Sequence, residues 1–418
     1  MNDFKPIIKN KKFRYLWISQ VLSQVTINIM NFVLLVKLFT ETGSTIATSL
    51  LWVSYALPAM LIGPFAAASV DMFDRRKVLM VTNLAQSVSI FLFALGSTEA
   101  VFSLYGLAMI YSFFNQFYVP AEQASLPSIV KKDDLAHANG LFFVTQQTSI
   151  IIGFGVGGIL NQFLGFQNTL FLGSALIFFA FLSVTFLPSM KTVKEFKWRI
   201  EEALIGFFRE ILEGYRFIKK HRKISLPILI LLSFHVSLII IVVNVPVITT
   251  DILNLPVNLA GVALVIPAGI GTLIGSVSYP KLLKKGLRKR KLIESSLKLL
   301  LIALLILNFS TIFLGSLMKV VVGAITITLI GFSFVGIIIP SQTFLQEHTP
   351  KDFRGRVFGN FWFLSTIATV FPMMFSGVVT EYLGIRMLII LLIIGGFYLL
   401  VFSKAKGDYL LSNSKNDE

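Results

Sequence analysis

The chain has 418 residues, 55% of them hydrophobic and only 14% charged. A soluble chain of this size carries about 25% charged residues, so the composition excludes an ordinary soluble protein and requires a polytopic membrane protein. The formal charge is +16, and the lack of cysteine excludes disulfides, thiolate metal sites and Cys nucleophiles.

Lys5, Lys9, Lys11 and Lys12 precede an apolar run from Tyr15 to Phe39. The run is too long for a signal-peptide core and no small-residue cleavage site follows, so it reads as a first spanning helix. About 20 residues at ~1.5 Å each cross a ~30 Å hydrocarbon core. On that measure the spans fall near 14–39, 45–70, 78–96, 101–120, 136–161 and 167–187, then near 224–250, 257–283, 291–309, 317–341, 357–381 and 384–403. The expected fold is an all-α polytopic membrane protein with twelve transmembrane helices. Its expected parts are a six-helix bundle over 1–187, an amphipathic linker over 188–222, a second six-helix bundle over 223–403 and a tail over 404–418.

The connections 97–100, 162–166 and 310–316 carry no Lys or Arg. Those on the other side, together with the two termini, hold every Lys and Arg of the chain except Lys37, Lys298, Lys319 and Arg386. This positive-inside pattern predicts a plasma-membrane protein with both termini and the linker in the cytoplasm. The basic charge therefore reads as topology and implies no nucleic-acid partner; the partner it implies is the lipid bilayer.

Between the second and third spans lies Asp71-Met72-Phe73-Asp74-Arg75-Arg76-Lys77. A short loop with a carboxylate first and basic residues last can lock two helices through charge pairs and helix ends. Equally, it can be a stop-transfer cluster that only sets orientation. In the linker, Ile200, Leu204, Phe207, Ile211, Tyr215 and Ile218 recur at three- and four-residue steps. That spacing predicts an amphipathic helix on the membrane surface. Pro120 and Pro340 each fall at the inner end of the fourth span of their half. Six plus six spans with weak internal symmetry is the sequence image of a two-bundle transporter.

The loop after Val70 resembles the signature of the major facilitator superfamily: Asp71, Arg75 and Arg76 match its acid and basic pair, with Ala67, Met72 and Asp74 in place of other signature residues. Pro120-Ala121, Leu126-Pro127, Ala138-Asn139-Gly140, Gln346-Glu347 and Arg354-Gly355-Arg356-Val357-Phe358-Gly359 are similar to the branch of macrolide efflux proteins and enterobactin-type exporters. The resemblance implies a monomeric secondary active transporter, not an enzyme and without cofactor, that exports small amphipathic compounds such as macrolide-like drugs or siderophores by alternating access with protons. A lysophospholipid or metabolite carrier is the alternative within the superfamily, and a membrane-embedded enzyme the alternative outside it. The resemblance also implies an inner gate. In it Asp71 faces the helix that starts near Val357, Arg75 or Arg76 pairs with Glu122, and Arg354 and Arg356 take part.

Gln20, Gln24, Asn28 and Asn31 fall on one broad face of the first span. A polar stripe on a membrane helix faces a protein interior or a watery cavity, or serves as interhelical glue. Asn115 and Gln146 extend the set, and His235 in the seventh span is the candidate proton carrier or a packing residue. Asn244 would lie on the opposite face from His235 unless Pro246 kinks that helix. Gly153-x-Gly-x-x-Gly158 imitates a dinucleotide fingerprint but has no strand before it. With Gly157 it reads as helix packing, and Gly153, Gly157 and Gly158 also resemble the fifth-span signature of exporters.

The charge asymmetry generates a direct test. A cysteine placed at residue 205 in the linker should react with a membrane-impermeant thiol reagent only after the cells are opened; labelling of intact cells would reverse the topology.

Overall fold

The computed structural model describes residues 5–70, 72–96, 100–131, 134–190 and 200–410. They are helical almost throughout: α1 (Lys5–Lys9), α2 (Lys11–Thr42), α3 (Thr45–Val70), α4 (Arg75–Leu95), α5 (Val101–Ile129), α6 (Leu135–Thr185), α7 (Ile200–Lys220), α8 (Arg222–Val243), α9 (Val245–Val247), α10 (Ile266–Lys284), α11 (Lys289–Phe313), α12 (Ser316–His348), α13 (Lys351–Leu383) and α14 (Ile385–Leu410). The chain divides into two compact units, Met1–Gly43 with Leu50–Phe207, and Ser44–Ser49 with Phe208–Glu418.

Among the described residues eight helices are long and apolar enough to cross a membrane, nine when a bent pair is taken as one span. One of the eight, His137–Thr185, has 49 residues. At ~1.5 Å per residue it exceeds two bilayer cores end to end. It does not run straight, because Gly165 has φ 79° and ψ 167° inside α6. That conformation is open to glycine and costly for other residues. The expected loop at 162–166 is therefore one broken residue between two helical arms. With α5 and α14 counted, the described chain supplies six long segments on either side of α7.

The fourth span also differs from expectation. Pro120 does not stand at its end, since α5 continues through Pro120 and Pro127 to Ile129. Each proline removes one ladder hydrogen bond without ending the helix. Likewise α12 continues past Pro340 to His348, and α13 starts at Lys351 rather than near Val357. In the seventh span α8 stops at Asn244, and the segments Pro227–Val243 and Val245–Ile252 meet at 60°. Pro246 offers no N–H to carry the ladder onward. Asn244 is fully buried there, and its Nδ2 donates to Ile240 O (2.8 Å) and Ser376 Oγ (3.3 Å). Residues 248–252 and 261–265 then take the wider π-helical turn, a geometry that concentrates at functional sites.

In the first unit α2 packs on both arms of α6. A Cβ at Gly153 would collide with Asn28 Cβ and sit 3.0 Å from the backbone of Asn28 and Ile29; at Gly157 it would meet Phe32 at 3.3 Å, and at Gly173 Met30 Sδ at 2.9 Å. Gly158 is buried on the same arm. Small residues let membrane helices approach closely enough for dispersion to hold them. In the second unit Gly271 and Gly331 play this part between α10 and α12, where an added Cβ would strike Thr328 O and Ala268 O.

The linker helix α7 does not lie free. Ile218 joins a buried cluster with Ile224, Ile228, Leu231, Leu345, Val357 and Phe361, and Phe217 stacks on Phe353 at 4.4 Å and 13°. Its second half is thereby part of the second unit.

Gly153→Val should lower the melting temperature of the purified protein, because overpacking a close contact costs ~1–3 kcal/mol. Gly140→Ala is the control: nothing lies within 4 Å of its added methyl, so it should leave the melting temperature unchanged or raise it slightly.

Candidate functional site

At the end of the first unit that carries Arg75 and Arg76, one turn ties several helices together. Asp74 is the N-cap of α4, with Oδ1 accepting from Arg76 N at 3.0 Å. The same oxygen accepts from Met190 N at 3.0 Å, and Oδ2 accepts from Ser189 Oγ at 2.6 Å. Burial raises the Asp74 carboxyl, but the hydrogen bonds from Ser189, Met190, Arg76 and Lys77 outweigh it and hold the group below the usual carboxylate range. Arg75 donates to Ala124 O (2.7 Å) and Ser128 Oγ (3.2 Å), and Arg76 to Thr185 O. Both guanidinium groups thus lie at the C-terminal ends of α5 and α6, where the dipole favours cations. Asn10 caps α2 and donates to Ile129 O at 2.8 Å.

The expected pair between Glu122 and Arg75 or Arg76 does not form. Glu122 is 3% exposed and accepts from Tyr118 Oη at 2.9 Å. The arginines are drawn instead to the carbonyl ends of α5 and α6. Asp71 lies outside the described residues, as do the side chains of Arg354 and Arg356 on α13.

The polar stripe of α2 is divided by the structure. Gln20 is buried and donates to Phe142 O at 3.3 Å. Asn28 is buried against Gly153, and its Nδ2 turns back to Gln24 O at 2.7 Å. These two serve helix contacts rather than an open surface. Gln24 and Asn31 are half-buried. Asn31 meets the Tyr55 hydroxyl of α3, to which Asn115 Nδ2 also donates at 3.4 Å. Ser112 Oγ donates to Tyr55 O at 2.6 Å, and Gln116 to Ser112 O at 3.2 Å. Asn31, Tyr55, Ser112, Asn115 and Gln116 therefore form one uncharged polar patch across α2, α3 and α5. Gln146 is exposed on α6, and His235 is half-buried on α8, before the break at Asn244.

Near the boundaries of the spans, Lys37 pairs with Glu41 at 2.6 Å and lies 5.4 Å from the Phe166 ring. Glu294 pairs with Arg290 at 2.7 Å. Among the described residues no three His, Asp or Glu side chains gather as metal ligands would.

Tyr55, Asp74, Tyr118 and Asn83 are the residues that sequence reasoning passed over. Only Asp74 carried a local signal: an Asp directly before a helical run is a cap. The tyrosines sit in apolar stretches whose periodicity says nothing of what their hydroxyls meet.

Two helical units with polar groups gathered inside otherwise apolar membrane helices define a polytopic transporter. Residues 16–373 match the Major Facilitator Superfamily, and the chain belongs to that family. It is 24% identical over 396 residues to the uncharacterized MFS-type transporter YfiS of Bacillus subtilis (strain 168), covering 92% of this chain and 90% of the relative. It is also 24% identical over 357 residues to the multidrug efflux pump Tap of Mycolicibacterium fortuitum, covering 83% of each. In fold it is similar to the nucleoside transporter NupG, with TM-score 0.68 at 13% identity over 94% of this chain and 98% of that one.

Asp74→Ala should destabilise the protein by ~1 kcal/mol at neutral pH, the usual effect of losing an N-cap. The folded carboxyl is depressed, so its contribution is complete above the unfolded value of 3.8 and is lost as pH falls through the lower folded value. Melting curves of wild type and Asp74→Ala should converge over that acid window and stay apart above it.

Proposed function

We propose that the protein is an exporter of amphipathic, partly apolar compounds, working by alternating access in exchange for protons. It acts as a monomer in the plasma membrane with both termini cytoplasmic. The uncharged patch of Asn31, Tyr55, Ser112, Asn115 and Gln116 carries this reading. Amides and hydroxyls set among aromatic rings orient a bulky ligand without demanding a charge on it. Similarity along most of the chain to a multidrug efflux pump supports the direction. Gln24, Gln146 and His235 are the further lining candidates, and Asp71, Arg354 and Arg356 the gate candidates.

Everted membrane vesicles provide the test. An imposed pH gradient should drive uptake of at least one member of a panel of macrolides and lipophilic dyes, and collapsing the gradient should stop it. No gradient-dependent movement of any macrolide or dye, with lysophospholipid moved instead, would replace the reading with a lipid carrier. In the same vesicles Asp71→Asn should cut uptake several-fold while the protein stays inserted. Acids weigh little in topology. A lost charge term of ~1.4 kcal/mol shifts a two-state ratio tenfold. Normal uptake by this variant would reduce Asp71 to a solvated loop acid.

A further inference from the structure

We propose that Glu122 carries the exchanged proton and that Tyr118 passes its protonation state to α2. The proposal rests on the proton-exchange reading above.

Glu122 is 3% exposed and Tyr118 1%. From Glu122 Oε1 the hydrogen bonds run to Tyr118 Oη (2.9 Å), then to Ser19 Oγ on α2 (3.2 Å). Asn83 Nδ2 of α4 donates to the same Ser19 Oγ at 3.1 Å, and Ser23 Oγ of α2 donates to Asn83 Oδ1 at 3.2 Å. Ser19, Ser23 and Asn83 are all buried. The carboxyl thus heads a dry chain of neutral polar groups that crosses from α5 to α2 and α4.

No cation offsets it among the described residues. On α4, Arg75 and Arg76 are held by Ala124 O, Ser128 and Thr185 O, and Lys77 is exposed. On α2, Lys11, Lys12 and Arg14 are exposed at the first turns, and Lys37 pairs with Glu41. On α6, His137 is exposed, with Asp134 half-buried just before the helix. Helix α3 has no charged residue, and Glu122 is the one charged residue of α5. A buried carboxylate without a cation is costly, and taking up a proton removes the cost.

Only one bond is made in the step. A hydronium ion gives its proton to a Glu122 carboxylate oxygen, leaving water, and one O–H bond forms. While Glu122 is a carboxylate, the Tyr118 hydroxyl must donate to it and accept from Ser19. Once Glu122 holds a proton it can donate to Tyr118 Oη, which frees the Tyr118 hydroxyl to donate to Ser19 Oγ. The bond between α5 and α2 reverses its polarity, on the helix that also carries Gln24 and Asn31.

Full-length protein in lipid nanodiscs is titrated by infrared difference spectroscopy, and ethidium transport is measured in proteoliposomes. Wild type should show a protonated-carboxyl stretch that vanishes as pH is raised. Glu122→Gln should lack that band and lose ethidium accumulation driven by a pH gradient, while ethidium still equilibrates down its own gradient. Tyr118→Phe should keep the band and move its midpoint by about one pH unit or more. An unchanged band in Glu122→Gln, or an unmoved midpoint in Tyr118→Phe with its melting temperature retained, overturns the proposal. If the band behaves as expected but wild-type transport of ethidium, macrolides and other dyes ignores the pH gradient, the proton-exchange reading itself fails. The carrier role falls with it, and Glu122 remains a titrating group without transport work.

Discussion

Every backbone N–H and C=O inside hydrocarbon must be satisfied by the protein itself, and helix ends are where this is hardest. The turn Asp74-Arg75-Arg76 meets that demand for several segments at once. Its carboxylate takes the free N–H of α4 and the residues after α6, while its guanidinium groups take carbonyls near the ends of α5 and α6. Asn10 does the same for the start of α2 and the last residue of α5. The basic residues that the charge pattern assigns to topology are therefore also structural, and neither role excludes the other.

This arrangement explains why Glu122 is left alone. Each arginine donates to one carbonyl near a helix end and keeps its hydrogen bonds in a partly wet setting, whereas moving it to Glu122 would bury an ion pair whose desolvation can exceed its attraction. The close contact of α2 with α6 has a parallel effect on the amides. Gly153 admits the backbone of α2 so closely that Asn28 has no space to face and bonds to its own helix. Polar residues three and four apart in sequence thus end in different settings: Gln20 and Asn28 are glue, and Asn31 reaches Tyr55.

The helices and the small-residue contacts were legible from hydropathy and glycine spacing, since both depend on local composition. Helix ends were not. Pro120 and Pro340 read as span ends, yet α5 and α12 run past them, each losing one ladder hydrogen bond without stopping. Gly165 read as part of a loop and is a single residue of positive φ inside a helical pair. At the site, the motif match drew attention to Asp71, although the acid with visible structural work is Asp74. The pairing inferred by resemblance for Glu122 failed because a motif specifies residue types and not the competing carbonyls within reach of each arginine.

The two units use one packing scheme for different chemistry. In the second unit Tyr279 of α10 is buried and shares a 2.8 Å hydrogen bond with Ser296 of α11. That neutral pair needs no counter-ion. The second unit has irregular backbone of its own: the break at Asn244, the 60° bend and two π-helical turns. A helix already bent has fewer ladder bonds to lose when it moves, while α5 and α2 are tied by the buried Tyr118 hydroxyl between Glu122 and Ser19. The first unit is thereby tied across its helices by buried side-chain hydrogen bonds and the second is interrupted along its backbone, a difference that a symmetric repeat of side chains would not supply.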